Sequence, residues 1–234
     1  MLKVNEIFGP TIQGEGKSIG MSCAFLRLAN CNLHCIWCDT PYTWNWLDTK
    51  FLHPDKYNKS KEVYIMSDEE IIIKLQNIGV KAVVISGGEP FLQHKQLISL
   101  CIKLKELNYW IEVETNGTIY PNKKLIDLVN QINCSPKLSN SQNSKKQRIC
   151  NSVLSQLTIC KKVNFKFVVE SLEDINEVSE LQNKFHFSET YLMPQAQTKE
   201  ELFQKGFWLY EFCSKHSNFL FCTRLSIMIA DRGV

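Results

Sequence analysis

Three thiols stand within eight residues in Cys31-Asn32-Leu33-His34-Cys35-Ile36-Trp37-Cys38, separated by three residues and then by two. Thiolates are soft ligands that select zinc, copper(I) or iron–sulfur clusters. A structural zinc site closes with a second ligand pair, and no other two cysteines of the chain lie as close together. His34 sits between two of the thiols, an awkward place from which to reach the same metal. Three thiolates on a four-iron cluster would instead leave one iron open to bind a small molecule. Spacing alone leaves a cluster, a zinc ion and reduced structural thiols all open.

A second group of this kind is Ser86-Gly87-Gly88-Glu89-Pro90. Glycines let a backbone approach a ligand closely, and a carboxylate stabilises an ammonium group. Upstream, Glu6-Ile7-Phe8-Gly9-Pro10-Thr11-Ile12-Gln13-Gly14-Glu15-Gly16 is polar and glycine-rich, and Arg27 stands alone in the apolar run Phe25-Leu26-Arg27-Leu28. Arg27 by itself reads as an outward-facing strand residue paired with an acid.

Cys-x3-Cys-x-aromatic-Cys, with Trp37 as the aromatic, followed by Gly-Gly-Glu-Pro, resembles the signature of the radical S-adenosylmethionine (SAM) superfamily. The resemblance implies a [4Fe–4S] cluster on Cys31, Cys35 and Cys38, with SAM on the open iron. Trp37, Cys38, Asp39, Gly87, Gly88 and Glu89 would contact the cofactor. So would two later segments, Ser135-Pro136-Lys137 and Met193-Pro194-Gln195. The N-terminal segment narrows the likeness to the 7-carboxy-7-deazaguanine synthase family. That family implies conversion of 6-carboxy-5,6,7,8-tetrahydropterin to 7-carboxy-7-deazaguanine with loss of ammonia. Ile12, Gln13, Gly14, Glu15, Ser86 and Val234 would meet the pterin, Arg27 its carboxylate, and Thr40 would bind Mg2+. Two other readings are a glycyl-radical enzyme activase, which shares the cysteine spacing, and a zinc-stabilised binding module.

The elements that must position these residues alternate along the chain. Ala24–Leu28 reads as a strand. Ser67 opens a helix through a capping box with Glu70, and Gly79 stops it. Lys81–Ser86 is a β-branched buried strand, and His94–Leu107 a helix with Leu97, Leu100, Cys101 and Leu104 on one face. Strands are then expected at Trp110–Glu114, Ile132–Ser135, Phe165–Val169 and Thr190–Met193. Helices are expected at Asn122–Asn130, Ile149–Ile159, Ser171–Asn183 and Lys199–Lys215, with a final extended segment over Phe219–Ile229. Such alternation predicts an α/β fold with a parallel sheet, an open, partial barrel of about six units with its chemistry at the strand ends. The chain is expected to be a single domain with irregular insertions at 44–64 and 138–148, the latter a disordered loop. Trp44, Trp46 and Phe51 would form either an interface or a local cluster.

Ten cysteines in a chain of 234 residues do not read as a disulfide framework, because a chain this long forms a core without staples. The other seven, Cys23, Cys101, Cys134, Cys150, Cys160, Cys213 and Cys222, read as small packing residues. A charge of +3 is too small to argue for nucleic acid, and Lys145, Lys146 and Arg148 read as a solvated loop. No apolar run reaches the ~20 residues of a membrane span, and the N-terminus lacks the order of a secretory signal. These features predict a cytoplasmic protein. The family resemblance adds a homodimer and a flavodoxin or ferredoxin as electron donor.

Overall fold

The structure, a computed structural model, describes residues 1–230. In chain order its elements are β1 (Leu2–Ile12), β2 (Ser22–Leu28), α1 (Lys59–Glu62), β3 (Tyr64–Met66), α2 (Asp68–Ile78), β4 (Ala82–Gly87), α3 (His94–Glu106), β5 (Trp110–Thr115), α4 (Lys123–Leu128) and β6 (Gln131–Cys134). They continue with α5 (Lys145–Arg148), α6 (Asn151–Thr158), β7 (Val163–Val169), α7 (Leu172–Phe185), β8 (Thr190–Pro194), α8 (Lys199–Lys215), β9 (Leu220–Phe221) and α9 (Leu225–Ala230). The expected alternation of strands and helices is present.

The chain divides into two compact units, each discontinuous in sequence. The first takes Met1–Thr11, Ser22–Thr115 and Ile119–Ile132. Its strands run in the order β3-β1-β2-β4-β5. β2, β4 and β5 are parallel, and β3 lies antiparallel on β1. Ala82–Ile85 of β4 are all buried, as a parallel strand covered on both faces requires. α2 has the expected capping box between Ser67 and Glu70, and Gly79 ends it at φ +86°. α3 buries Leu97, Leu100, Cys101 and Leu104. Gln93 then ties β1 to the end of β2, its amide donating to the carbonyls of Lys3 and Ala29 while its oxygen accepts from the Lys3 N–H.

The second unit takes Ile12–Met21, Asn116–Thr118 and the chain from Asn133. Its strands β7, β8 and β9 are parallel neighbours. Every residue of β7 is buried, including Lys166 at 4% exposure. α7 opens on the Ser171 side chain, which accepts from the Asp174 N–H.

One element is added where none was assigned, and three expectations are corrected. The N-terminal run, to which the sequence gives no element, is the eleven-residue strand β1. Phe219–Ile229 is not extended: after the two residues of β9 it turns into α9, where Ile227 packs on Ala196 and Leu202. A short apolar run fits either period, and packing decides. Residues 138–148 are ordered rather than disordered, with a 3-10 turn at Ser139–Ser141 and then α5. Arg148 is buried, not solvated. It donates to the carbonyls of Asn143 (3.2 Å) and Lys137 (3.0 Å) and to Glu177 at 2.5 Å. Ser139 donates to the same carboxylate from its N–H and its hydroxyl.

Candidate active site

In the first unit the cysteine loop leaves the carboxyl end of β2 and is pinned by the segment that ends β4. Leu28 pairs in register with Gly87. Beyond that pair, the Gly88 N–H donates to the Leu28 carbonyl (3.0 Å) and the Glu89 N–H to the Asn30 carbonyl (2.8 Å). The two glycines are required by the chain itself. A Cβ on Gly87, at φ +131°, would lie 2.1 Å from the Leu28 carbonyl oxygen, and one on Gly88 2.0 Å from that of Asn30. Glu89 is fully buried. One of its oxygens accepts from the Phe91 N–H (2.9 Å) and the Thr115 hydroxyl (2.8 Å).

None of the three thiols is in a disulfide; Cys35 is buried and the other two are partly so. Burial pushes the Cys31 thiol up, and the charges of Glu89, Cys38 and Cys35 add to it, which places those three groups within electrostatic reach of Cys31. Burial also raises Cys38, with Asp39 adding, against hydrogen bonds from Trp44 and Thr40. Thiolates gathered in this way are costly unless a cation balances them, and bound metal does that by deprotonating a ligand thiol outright. The donor set therefore fits an iron–sulfur cluster. Thr40 is buried. Its carbonyl accepts from the N–H and hydroxyl of Thr43, and its own hydroxyl lies 3.7 Å from the Cys38 sulfur.

Arg27 is paired with an acid, as its lone reading held, but it is not outward-facing: it is 3% exposed. Its Nε donates to Glu6 at 2.7 Å, and its guanidinium lies over the rings of Phe8 and Tyr42, 5.6 and 5.9 Å from their centres. The Tyr42 hydroxyl donates to the same Glu6 oxygen at 3.2 Å. Ser86 is the register partner of Arg27 on β4.

The insertion after the thiols folds onto them. Trp44 is buried and meets His34, Phe51 and His53. The Asn45 amide holds the carbonyls of His53 and Asp55, and Lys56 donates to Asn45 and to the carbonyls of Thr49 and Phe51. Of the two roles open to its aromatics, Trp44 takes that of the local cluster.

The second unit holds the other site candidates. Gln13 and Gly14 are buried and Ile12 is exposed. The Gln13 N–H and carbonyl bond Met21 and Gly20, and the Gly14 carbonyl accepts from Leu225. Glu15 is clamped by Lys166 and Arg224, the latter at 2.9 Å. Burial pushes the Glu15 carboxyl up, but the two cations outweigh it and bring it down to about 2. Arg224 also donates to the Ala196 carbonyl. Lys137 donates to the Ser135 hydroxyl at 3.0 Å; Pro136, Met193 and Pro194 are buried. The Gln195 N–H donates to Val169, and its side-chain oxygen accepts from Lys205. Val234 lies outside the described residues.

Sequence reasoning gave no site role to Glu6, Tyr42, Trp44, Thr115, Lys166 or Arg224. Lys166 carried a signal, a lone charge inside an apolar strand, which must be paired when buried.

The thiol loop, the Gly-Gly-Glu-Pro segment and the end of β8 all fall within residues 27–194, the stretch matched by the sequence model of the radical SAM superfamily. The class is therefore that of radical SAM proteins. The chain is 40% identical to the 7-carboxy-7-deazaguanine synthase of Bacillus subtilis (strain 168) over 144 residues, 60% of this chain and 54% of that protein's length. Against the protein of that name from Pyrobaculum aerophilum it is 35% identical over 204 residues, 86% of this chain and 82% of that one. The chain belongs to the 7-carboxy-7-deazaguanine synthase family of this superfamily. The crystal structure of QueE from Escherichia coli matches it with a TM-score of 0.70 at 24% identity, over 95% of this chain and 93% of that one. That likeness is one of fold, the open, partial α/β barrel expected from the alternation. Family membership displaces the activase and zinc-module readings.

Proposed function

We propose that this chain is a radical SAM lyase that converts 6-carboxy-5,6,7,8-tetrahydropterin to 7-carboxy-7-deazaguanine and ammonia, on the route to queuosine and related 7-deazapurines, acting as a single domain. The observation that carries the reading is Arg27. It is a buried guanidinium four residues before the first cluster thiol, in register with Ser86 and already engaged by the Glu6 carboxylate. A planar fork of donors held between two rings suits a small anionic substrate, and a peptide loop has no need of it.

A cluster on Cys31, Cys35 and Cys38 with SAM would supply the 5′-deoxyadenosyl radical that opens the reaction. Glu89, aimed by Phe91 and Thr115, would take the ammonium of SAM. Trp37, Asp39, Gly87, Gly88, Ser135, Pro136, Lys137, Met193, Pro194 and Gln195 would complete the SAM contacts. Arg27 would exchange Glu6 for the substrate carboxylate, with Ile12, Gln13, Gly14, Glu15, Ser86 and Val234 toward the pterin ring. The Thr40 hydroxyl would take one position on Mg2+, whose other oxygens come from substrate and water. The working form would be a cytoplasmic homodimer reduced by a flavodoxin or ferredoxin, with no nucleic-acid partner. No described helix is long and apolar enough to cross a membrane.

The test is an anaerobic assay of the reconstituted, reduced chain with SAM, Mg2+ and the pterin. Multiple turnovers to 7-carboxy-7-deazaguanine, seen by mass spectrometry, are expected. Release of 5′-deoxyadenosine without a deazaguanine would refute the substrate while leaving the superfamily chemistry intact.

A further inference from the structure

The insertion supplies a side-chain donor to one of the three thiols, Cys38. The Cys31 sulfur accepts a backbone N–H from Leu33 at 3.5 Å. The Cys38 sulfur accepts the indole N–H of Trp44 at 3.4 Å, with the Thr40 hydroxyl a further 3.7 Å contact. An indole nitrogen can only donate, so this contact has one polarity.

The geometry around Trp44 leaves its ring little freedom. It is 2% exposed. His34 lies 4.9 Å from it, Phe51 and His53 stand edge-on at 5.7 and 5.9 Å, and Phe51 is stacked on His34 at 3.5 Å. The His53 ring accepts the Asp55 N–H on Nδ1 (3.2 Å), so the neutral ring carries its proton on Nε2 and donates to the Cys38 carbonyl at 3.1 Å. Trp44 and His53 thus grip the same ligand, one by its sulfur and one by its backbone. Asn45 and Lys56 in turn hold the segment that carries His53.

We propose that Trp44 tunes the cluster: its N–H bond to the Cys38 thiolate raises the potential of the one-electron [4Fe–4S] couple, and the aromatic segment 44–53 keeps that bond in place. A donor to a ligand sulfur withdraws charge from the iron and favours the more negative, reduced state. The reasoning rests on the cluster reading above. It adds that reduction by the electron donor depends on a residue outside the set assigned to SAM and pterin, which makes Trp44 a positioning and tuning residue.

The experiment uses the full chain with its reconstituted cluster, and two replacements of the indole. Trp44→Phe removes the N–H but trims the ring. Incorporation of 3-benzothienylalanine at position 44 replaces N–H by sulfur and keeps the volume. Potentiometric titration followed by electron paramagnetic resonance reads the couple, and resonance Raman in H2O and D2O reads the exchangeable proton at the iron–thiolate bond. The expected result is four irons per chain in each protein, a midpoint potential displaced to more negative values in both replacements, and loss of the D2O shift of one Fe–S(Cys) band. If Trp44→Phe fails to fold, the isosteric replacement decides. An unchanged potential and D2O shift in the benzothienyl protein would overturn the proposal alone. A wild-type chain that assembles no four-iron cluster would overturn the cofactor reading together with it.

Discussion

Alanine at Gly88 would put a methyl group 2.0 Å from the Asn30 carbonyl oxygen, 2.5 Å from its carbon and 3.0 Å from the Cys31 Cβ. Real Cβ atoms do not approach closer than 3.0 Å, so β4 and the start of the thiol loop must part by about 1 Å, a shift that neither backbone absorbs in a packed interior. The Glu89-to-Asn30 and Gly88-to-Leu28 bonds lie across that gap, and each is worth about 1 kcal/mol. Overpacking adds roughly 1–3 kcal/mol, giving an expected loss of about 3–5 kcal/mol. Gly20 is the control. Its φ is +92°, but a Cβ there meets nothing within 4 Å, so Gly20→Ala should cost only the roughly 1–2 kcal/mol of the left-handed backbone. Urea denaturation of the cluster-free chains measures both, and iron content after reconstitution shows whether Cys31 has moved. Gly88→Ala within about 1 kcal/mol of the wild type, with full iron loading, would refute the described approach of the two backbones.

Other perturbations separate the remaining parts. Glu15→Gln removes the charge that balances two buried cations and should cost about 3 kcal/mol at pH 7, in the range for breaking a buried pair. Because the Glu15 carboxyl sits near 2 rather than 4.5, its contribution is complete above about pH 4.5 and lost as the pH falls toward 2. The wild-type and mutant unfolding curves should therefore converge over that window; a gap that stays constant would refute the pairing. Arg148→Met should cost about 3–5 kcal/mol by stranding Glu177, read as a lower urea midpoint, whereas a truly solvated loop would lose almost nothing. Arg27→Lys keeps the charge but not the fork. A loss of at least about tenfold in kcat/KM for the carboxypterin, or about 1.4 kcal/mol, is expected with iron content unchanged, and an unaffected KM would argue against a carboxylate at this position.

What was legible in the sequence was what neighbours in sequence enforce. Ser67, Glu70 and Gly79 bound α2 because a cap is satisfied within three or four residues. The thiol spacing and Gly-Gly-Glu-Pro stood out because their ligands are equally local. The pairings of Arg148 and Lys166 were opaque for the opposite reason: their partners, Glu177 and Glu15, are 29 and 151 residues away, and a polar, lysine-rich stretch looks the same whether or not one of its arginines is buried. The glycines of the Gly-Gly pair were legible as a close approach, but what they approach, the chain's own backbone at Leu28 and Asn30, needed three dimensions. The insertion advertised its aromatics without revealing that one of them is aimed at a cysteine.

The clamp on Glu15 also constrains how the protein is made. Arg224 follows Glu15 by 209 residues, so at about 5–20 residues per second the ribosome needs roughly 10–40 s to deliver the second cation after the carboxylate has emerged. For most of that interval the segment Ile12–Met21 belongs to a unit the greater part of which has yet to be synthesised. Its contacts are of the long-range kind that slow folding. During translation the N-terminal segment is therefore a natural client for a holding chaperone, and a shortened chain that stops before Arg224 should be a degradation substrate even with its thiol loop intact.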